Sequence, residues 1–271
     1  MREAVIVSAA RTPIGKAYRG AFNNLESPSM ASVAVKAAVD RSGIDPKEVD
    51  DCIMGAAIQQ GTQGFNLGRQ VAMASGLPVS VAGMTIDRQC SSGLMTIATG
   101  AKHIINDNAP ITIAGGCESI SLVQNEHMNS HRIGDPLTIK NAPMIHMPML
   151  DTAETVAKRY NISREAQDEY AVASQERTAD AQVRGAFDDE IVPVTAIKMI
   201  MNKETGEVTK EEVTLTKDEG NRPGTTIENL ANLKPVRNDG TITAGNASQL
   251  SDGAAVVVMM EGKLAAVSYT H

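Results

Sequence analysis

The feature that most constrains the fold of this chain is a regular alternation of short apolar strands and helical segments between residues 4 and 115. The strand patterns lie at 4–8, 49–57, 83–87 and 111–115, and the helical patterns lie at 31–41, 67–75 and 91–105. Strands joined through helices are crossover units, which build one sheet that helices cover on both faces. The sequence therefore predicts an α/β fold.

A different pattern begins near Ser119. A loop-like stretch at 121–149 precedes helical patterns at 152–160 and 164–184 and strand patterns at 190–195, 197–201 and 208–216. The apolar run at 254–260 then predicts the last strand of the first sheet. We therefore expect two domains, a core formed by 1–118 and 244–271 and an inserted α+β loop domain formed by 119–243.

Composition and charge narrow the class of protein. The chain has 271 residues, of which 42% are hydrophobic and only 3% are aromatic, with no Trp. This composition supports a packed core that is aliphatic and filled by Met side chains. A formal net charge of −7 argues against nonspecific nucleic-acid binding, which needs a basic surface.

The cysteines and the apolar runs predict a cytoplasmic protein. Cys52, Cys90 and Cys117 are scattered and odd in number, so the sequence contains no disulfide framework or zinc spacing. The N-terminal sequence enters a strand pattern directly, without the pattern of a signal or transit peptide. No apolar run approaches the ~20 residues that span a membrane, so we expect no membrane association.

Cys90 is the strongest candidate for a nucleophile. A strand pattern ends just before it and a helical pattern follows, so we expect the thiol at a strand-to-helix junction, on the first turn of the helix. Backbone N–H groups at the start of a helix stabilise a thiolate. Ser91, Ser92 and Gly93 are small and would let a substrate approach the backbone. The alternative is a structural cysteine, because free cysteine usually acts as a small buried hydrophobe.

The sequence around Cys90 and in several other places resembles that of the thiolases, the acetyl-CoA acyltransferases. Arg-Gln-Cys-Ser-Ser-Gly-Leu at 88–94 resembles the nucleophile motif of the family. The other similar stretches occur in family order at 3–15, 115–121, 153–157, 163–168, 171–175, 233–235 and 243–255. One difference is Asp87, where many thiolases have Asn, and we expect it to tune the site without abolishing it.

The resemblance implies half of a thiolase-like layered α-β-α sandwich, with a mixed five-stranded sheet. In the complete fold, the helix at 91–105 would lie between two sheets, and the small residues Gly93, Ala98 and Gly100 agree with such an interior position. The second half of the family supplies a Gly-His-Pro motif and a Cys-x-Gly-Gly-Gly motif, and neither occurs here. We therefore expect a thiolase whose C-terminal half is missing.

The resemblance also implies the reaction, which is thiolysis of a 3-ketoacyl-CoA or the reverse condensation of acyl-CoA. Cys90 would attack the thioester and hold the acyl group as a covalent intermediate. The base and the oxygen-binding donors that this needs come mostly from the second half of the family, so we expect the chain alone to be inactive. The implied partners are acyl-CoA and CoA as substrates, with no permanently bound cofactor. A second copy of the chain, or the missing half, is the implied protein partner.

Three residues resemble CoA contacts of the family. Arg222 matches a basic residue at the adenine-nucleotide end, Ser248 a serine beside the pantetheine, and Met149 a methionine that lines the pantetheine tunnel. A guanidinium suits phosphates and stacks on bases, and pantetheine favours an apolar tunnel with a few hydrogen bonds. The alternatives are a solvated Arg, a turn Ser and a core Met. Glu118 is expected to support the active-site loops through hydrogen bonds.

His127 and His131 are four residues apart with Glu126 beside them, a spacing that could place two imidazoles on one helix face. The sequence offers no third ligand, and the segment lacks a helical pattern. We therefore expect a loop and no metal site.

Two other functions stay open. A related condensing enzyme, such as a ketoacyl synthase, would share the nucleophile, but such enzymes usually lack an insertion like 119–243. The other alternative is a non-catalytic CoA-binding or assembly module. Without the second half of the fold, apolar sheet and helix surface would be exposed and available to a partner. The Cys-Ser-Ser-Gly form and the Met-rich loop favour a 3-ketoacyl-CoA thiolase over an acetoacetyl-CoA enzyme.

Overall fold

Eight strands and nine α-helices form within residues 2–268, which are the residues that the computed structural model describes. The strands are β1 (Ala4–Arg11), β2 (Gly15–Lys16), β3 (Asp51–Gly55), β4 (Ala82–Ile86), β5 (Ile111–Ser119), β6 (Val194–Met201), β7 (Val208–Leu215) and β8 (Ser251–Glu261). The helices are α1 (Ser27–Ser42), α2 (Leu67–Ala74), α3 (Ser92–Asn106), α4 (Ile120–Val123), α5 (Pro136–Asn141), α6 (Met149–Tyr160), α7 (Arg164–Val183), α8 (Ile227–Ala231) and α9 (Gly262–Ser268). Met1 and residues 269–271, at the two ends of the predicted core domain, lie outside the described residues.

The strands and helices predicted up to residue 115 are all present, with ends that shift by a few residues. α1 begins at Ser27 rather than at residue 31, because Pro28 suits the first turn of a helix. Gly43 ends α1 in a left-handed conformation at φ 66°. Within the described residues, no helix is both long and apolar enough to cross a membrane.

One mixed sheet organises the strands of the core. Its order is β1-β8-β5-β3-β4, and the two-residue β2 also pairs with β8. β3 runs parallel to β4 and β5, whereas β8 runs antiparallel to β1 and β5. The predicted mixed five-stranded sheet is confirmed along this path, and β2 adds a short sixth strand.

Helices cover both faces of this sheet, which gives the predicted layered α/β fold. Along β5, Ile113 and Cys117 belong to the core shared with α1 and α2, whereas Ala114 belongs to a smaller core under α3. Because successive side chains of a strand point to opposite faces, α3 lies on the face opposite α1 and α2.

α3 is buried on one side only in this structure, and its interior position between two sheets of the complete fold stays a prediction. Thr96, Gly100 and Ile104 are buried against the sheet. A Cβ at Gly100 would lie 2.9 Å from Oγ1 of Thr112, so the small residue does serve close packing on that side. On the other side, Leu94 is 71% exposed. The small residue Gly100 therefore allows α3 to pack closely on the sheet, while the other side of the helix lies at the surface of the described structure.

Contacts divide the chain into two compact units. The first comprises the described parts of Met1–Met128, Asp188–Gly220 and Leu250–His271, and the second comprises Asn129–Phe187 and Asn221–Gln249. The first unit holds the mixed sheet and the β6–β7 hairpin, whereas the second holds the helices α5 to α8. The bounds of these units differ from the predicted domain boundaries at 118/119 and 243/244. The predicted boundaries concern where a domain is inserted into the core, and they stay a prediction.

Within the first unit, the side chain of Asn23 attaches the β6–β7 hairpin by forming the two backbone hydrogen bonds that a neighbouring strand would form. Nδ2 of Asn23 donates to the carbonyl oxygen of Met199 at 2.8 Å, and the N–H of Met199 donates to Oδ1 of Asn23 with an N···O distance of 2.9 Å. The two bonds occupy an edge position of β6. An unpaired strand edge is where other chains add, so Asn23 protects this edge.

Candidate active site

Cys90 lies in the short connection between β4, which ends at Ile86, and α3, which begins at Ser92. The strand-to-helix junction is as predicted, but Ser91 is the N-cap of α3, so Cys90 precedes the helix rather than lying on its first turn. Gln89 adopts φ 49°, in the left-handed region that residues other than glycine rarely enter. This conformation interrupts the helical path just before the thiol, which is the physical reason for the difference.

Cys90 is the exposed thiol of the chain. Cys52 and Cys117 are both buried. Burial raises the pKa of Cys52 to about 12 and also raises the pKa of Cys117 above its ordinary value. At neutral pH the folded chain therefore offers its reactive sulfur at Cys90.

Cys90 borders a cavity of about 450 Å³ in the first unit. Ile14, Ile58 and Ile120 give the cavity apolar walls. Arg11 and Glu118 are its charged lining residues. An apolar cavity with a few convergent polar groups is the usual form of a small-molecule site.

Gly55 brings the end of β3 against the start of α3 beside this cavity. A Cβ at residue 55 would lie 2.6 Å from the carbonyl carbon of Ser92 and 2.7 Å from the N of Gly93. No real Cβ atom tolerates such distances, so only glycine lets the strand and the helix meet here. The closeness of β3 and α3 sets the position of the chain that follows Cys90.

Glu118 supports one wall of the cavity, as the sequence led us to expect. Its Oε2 accepts a hydrogen bond from the N of Ala57 at 2.9 Å, and its Oε1 accepts one from the N of Ile58 at 3.3 Å. Nε2 of Gln63 donates to Oε1 of Glu118 at 2.6 Å. Gln63 is 1% exposed and also accepts a bond from the N of Ser119 at 2.6 Å. Sequence reasoning missed Gln63, because a polar residue in a glycine-flanked loop carries no signal of burial.

Arg11 lies in the cavity wall but is held by two carboxylates. Its Nη1 and Nη2 donate to the two oxygens of Asp218 at 2.7 and 3.0 Å, and its Nε donates to Glu190 at 2.7 Å. Burial lowers the pKa of Arg11, but these hydrogen bonds outweigh it and raise the pKa above its ordinary value. Asp218 also accepts a bond from the N of Ile14 at 2.8 Å. Arg11 therefore anchors the 11–14 loop of the wall.

Asp252 is a completely buried carboxyl at the start of β8. Its Oδ1 accepts a hydrogen bond from the N of Ser121 at 2.9 Å, and its Oδ2 accepts one from the Ser121 hydroxyl. Burial raises the pKa of Asp252, and the hydrogen bonds from Ser121 only partly offset the rise. Through this pair, β8 is tied to the segment that follows β5, next to the cavity residue Gly253.

The three predicted CoA contacts lie at the surface of the second unit. Met149 is the first residue of α6 and is 72% exposed, and Arg222 and Ser248 are also exposed. The exposure of Met149 removes the alternative of a core methionine. The N of Arg222 donates to Oε1 of Gln175 in α7 at 2.8 Å, which fixes the backbone of this turn. No described contact joins the three side chains, and their role in CoA binding stays a prediction.

A buried ion pair shapes the turn that leads to Ser248. Asp168 is 2% exposed and accepts hydrogen bonds from Nε of Arg164 at 2.7 Å and from Nδ2 of Asn246 at 2.9 Å. Oδ1 of Asn246 accepts a bond from the N of Thr243 at 2.7 Å. Asp168 therefore orders the turn at 243–246 through Asn246, a pairing that sequence reasoning missed because the partners lie 78 residues apart.

The histidine pair at 127 and 131 does not lie on a helix. Residues 124–127 form a bend and a turn, in which the N of His127 donates to Oδ1 of Asn125 at 2.9 Å. The side chain of His127 is exposed and lies 3.7 Å from Glu126. Among the described residues, no group of three or more His, Cys, Asp or Glu side chains could hold a metal ion.

The amino-acid sequence is similar to those of thiolases and acetyl-CoA acetyltransferases. It matches the family model described as Thiolase, N-terminal domain over residues 4–263. It is 42% identical over 263 residues to the 3-ketoacyl-CoA thiolase of Bacillus subtilis (strain 168), in a match that covers 96% of this chain and 66% of that protein. It is 40% identical over 273 residues to the acetyl-CoA acetyltransferase of Cupriavidus necator, again over 96% of this chain and 66% of the relative.

The structure is also similar to that of a known protein. The crystal structure of the Bacillus anthracis acetyl-CoA acetyltransferase matches it with a TM-score of 0.84 at 39% identity, over 98% of this chain and 67% of the other. The chain thus spans about 66% of the length of the two relatives compared by sequence. The resemblance found in the motifs is confirmed, and the chain belongs to the thiolase family.

Proposed function

We propose that this chain is the acyl-accepting part of a thiolase-type acyltransferase, with Cys90 as its nucleophile. The observation that carries the proposal is an exposed thiol beside an apolar cavity at a strand-to-helix junction. The names of the relatives, 3-ketoacyl-CoA thiolase and acetyl-CoA acetyltransferase, supply the class of reaction.

The proposed first step moves an acyl group from CoA to Cys90. The thiol loses its proton to solvent, and the sulfur attacks the carbonyl carbon of the thioester. The bond between that carbon and the CoA sulfur breaks, and the departing CoA thiolate takes up a proton. With a 3-ketoacyl-CoA, attack on the keto carbon breaks the bond between the α and β carbons, and protonation of the α carbon releases acetyl-CoA. Either route leaves an S-acyl cysteine, which a second CoA thiol resolves.

The cavity walls limit how fast this chain can turn over. Besides Cys90, the titratable lining residues are Arg11, Cys117 and Glu118. Arg11 is paired with carboxylates, Cys117 is buried, and Glu118 accepts three hydrogen bonds from the protein. Thiolysis needs a base whose pKa suits proton removal at working pH. We therefore expect acylation of Cys90 without rapid turnover by this chain alone.

Arg222, Ser248 and Met149 are the proposed CoA contacts. Their exposure agrees with contact to a ligand, and the bond from Asn246 to Asp168 orders the backbone that leads to Ser248. In this proposal CoA and acyl-CoA are substrates, and no cofactor is bound permanently. The proposed protein partner is a second copy of the chain or a polypeptide that supplies the remaining part of the family fold, and the proposed compartment is the cytoplasm.

Mass spectrometry of the intact chain tests the proposal directly. The purified chain is incubated with acetyl-CoA or acetoacetyl-CoA, quenched in acid and digested to locate the acyl group. We expect one acyl group on Cys90 in the wild type and none in C90S, with C117S as the matched control that keeps the modification. A chain that gains no acyl group, or gains it equally in C90S, would show that Cys90 does not accept acyl groups from CoA.

A non-catalytic assembly module is the second candidate. It is favoured by the uncovered side of α3, where Leu94 is exposed, and by a nearby apolar cavity of about 330 Å³ lined in part by Ile97 and Val257. A rise in Tm with CoA but no acylation would favour this candidate over the enzyme. A ketoacyl synthase is not favoured, because the matching family model is that of the thiolases.

A further inference from the structure

We infer that Asp87 and Ser92 are positioning residues that lock the backbone at Gln89 and thereby place the thiol of Cys90. This inference rests on the proposed role of Cys90 as the acyl acceptor. Neither side chain acts on the substrate in this scheme, because each holds a peptide group of the residue before the nucleophile.

The turn at Gln89 is a conformation that the chain does not adopt without help. Gln89 has φ 49°, and for a residue with a Cβ this region is disfavoured by about tenfold relative to ordinary backbone. The residue stands immediately before Cys90, so a return to ordinary φ would swing the thiol away from its present direction. Such strain persists only where the surroundings hold it in place.

Both backbone polar groups of Gln89 are held by neighbouring residues. Its N–H donates to Oδ1 of Asp87 with an N···O distance of 2.7 Å. Its carbonyl oxygen accepts a bond from the hydroxyl of Ser92 at 2.6 Å and one from the N of Ser92 at 3.0 Å. The left-handed residue is therefore fixed from the side before it and from the side after it.

The hydroxyl of Ser92 joins the two ends of the same turn. Besides donating to Gln89, it accepts a bond from the N of Arg88 at 2.8 Å. Ser92 is 4% exposed, so its hydroxyl cannot exchange these partners for water without a local opening. Ser91 adds a bond from its hydroxyl to the carbonyl oxygen of Arg88 at 2.9 Å. Cys90 therefore follows two residues, Arg88 and Gln89, whose backbone groups are hydrogen-bonded to the side chains of Asp87, Ser91 and Ser92.

The contact also predicts that Asn could replace Asp87 without loss of the lock. The bond from Gln89 needs only an acceptor oxygen on a short side chain, and the amide of Asn offers the same oxygen at the same place. The charge of Asp87 is not required for the lock, whereas the acceptor is.

The test uses two readouts on the same variants. Trypsin cleavage after Arg88 reports how often the turn opens, because proteolysis tracks the population of the open form. Cleavage after Arg41, which lies in α1, is the internal reference for general unfolding. Acylation of Cys90 by acetyl-CoA, followed by intact mass, reports whether the thiol is placed for reaction. The single variants are D87N, D87A and S92A. The double variants are D87A/Q89G and D87A/Q89A.

The lock predicts a definite order among these variants. D87N should behave within about twofold of the wild type in both readouts, because its amide oxygen accepts the same bond. D87A and S92A should be cleaved after Arg88 about tenfold faster and acylated about tenfold more slowly. D87A/Q89G should recover most of both losses, since glycine adopts positive φ unaided, and D87A/Q89A should recover neither.

Each outcome bears on the lock separately from the proposed function. If D87A is cleaved and acylated like the wild type, or if D87A/Q89G is no better than D87A/Q89A, the lock is refuted. If the wild type gains no acyl group while trypsin cleavage follows the predicted order, the lock stands and the acyl-transfer function fails. D87A changes an exposed side chain, so it keeps the test available even if S92A does not fold.

Discussion

Replacing Gly55 by Ala should force β3 away from the start of α3 and destabilise the first unit. The added Cβ would lie 2.6 Å from the carbonyl carbon of Ser92 and 2.7 Å from the N of Gly93. Ordinary contact begins near 3.4 Å, so the two elements must separate by about 0.8 Å. Both clashing atoms belong to the backbone, which cannot rotate aside as the end of a side chain can.

The magnitude follows from what the separation disturbs. Overpacking of a filled interior costs about 1–3 kcal/mol. The upper part of that range applies here, because Thr96 and Ile104 of α3 are fully buried against the sheet and would lose contact as the helix moves. We expect the free energy of unfolding to fall by about 2–3 kcal/mol in G55A. The Tm should fall by about 4–12 °C.

Gly93 is the matched control for this prediction. Its Cβ would lie 3.9 Å from the nearest atoms, and alanine is the better helix former by about 0.5–1 kcal/mol. G93A should therefore keep or raise the stability of the wild type. Urea unfolding followed by circular dichroism compares the three proteins. A G55A variant within about 0.5 kcal/mol of the wild type, or a G93A variant that loses as much as G55A, would refute the steric reasoning.

In a thiol titration at neutral pH, the folded chain should react through Cys90 alone and the unfolded chain through all three cysteines, and a second reactive thiol in the folded chain would contradict the burial of the other two. Because burial raises the pKa of Asp252, the stability that this group contributes is fully present below its unfolded pKa and is lost as the pH rises through its folded pKa. Urea unfolding across this range should show the wild type losing stability relative to D252N as the pH rises, and equal slopes would contradict it. D168A should lower the free energy of unfolding by about 3–5 kcal/mol, because it leaves the largely buried guanidinium of Arg164 without its carboxylate. D151A breaks an exposed pair and should cost much less than D168A, so similar losses in urea unfolding for the two variants would show that burial does not decide their strength.

The strands of the sheet could be predicted because their signals are local. The apolar runs at 4–8 and 254–260 lie within β1 and β8, and the prediction needed nothing beyond neighbouring residues. The prediction of two strands at 190–195 and 197–201 was wrong, since β6 is one strand that begins after Pro193. Proline lacks the N–H that a paired strand needs, so the interruption lies at Pro193 rather than at residue 196.

The contacts that build the candidate site were less predictable than Cys90 itself. Arg11 donates hydrogen bonds to Asp218, which lies 207 residues away in the sequence, and Gln63 donates to Glu118, which lies 55 residues away. Such pairs depend on the completed fold, and no local pattern specifies them. The left-handed Gln89 was equally hidden, because glutamine is not a residue that indicates positive φ.

The position of β8 in the sheet has a consequence for how the chain folds as it is synthesised. β8 lies between β1 and β5, with Ala4 opposite Glu261 and Ser119 opposite Asp252. β3, β4 and β5 can associate as soon as they leave the ribosome, whereas β1 has no partner strand in the mixed sheet until residues 251–261 appear. Pairings this distant in sequence form slowly, and until they form both β1 and β5 present open edges to other nascent chains. We therefore expect a translational pause before Ser251 to prolong that exposure and to increase aggregation.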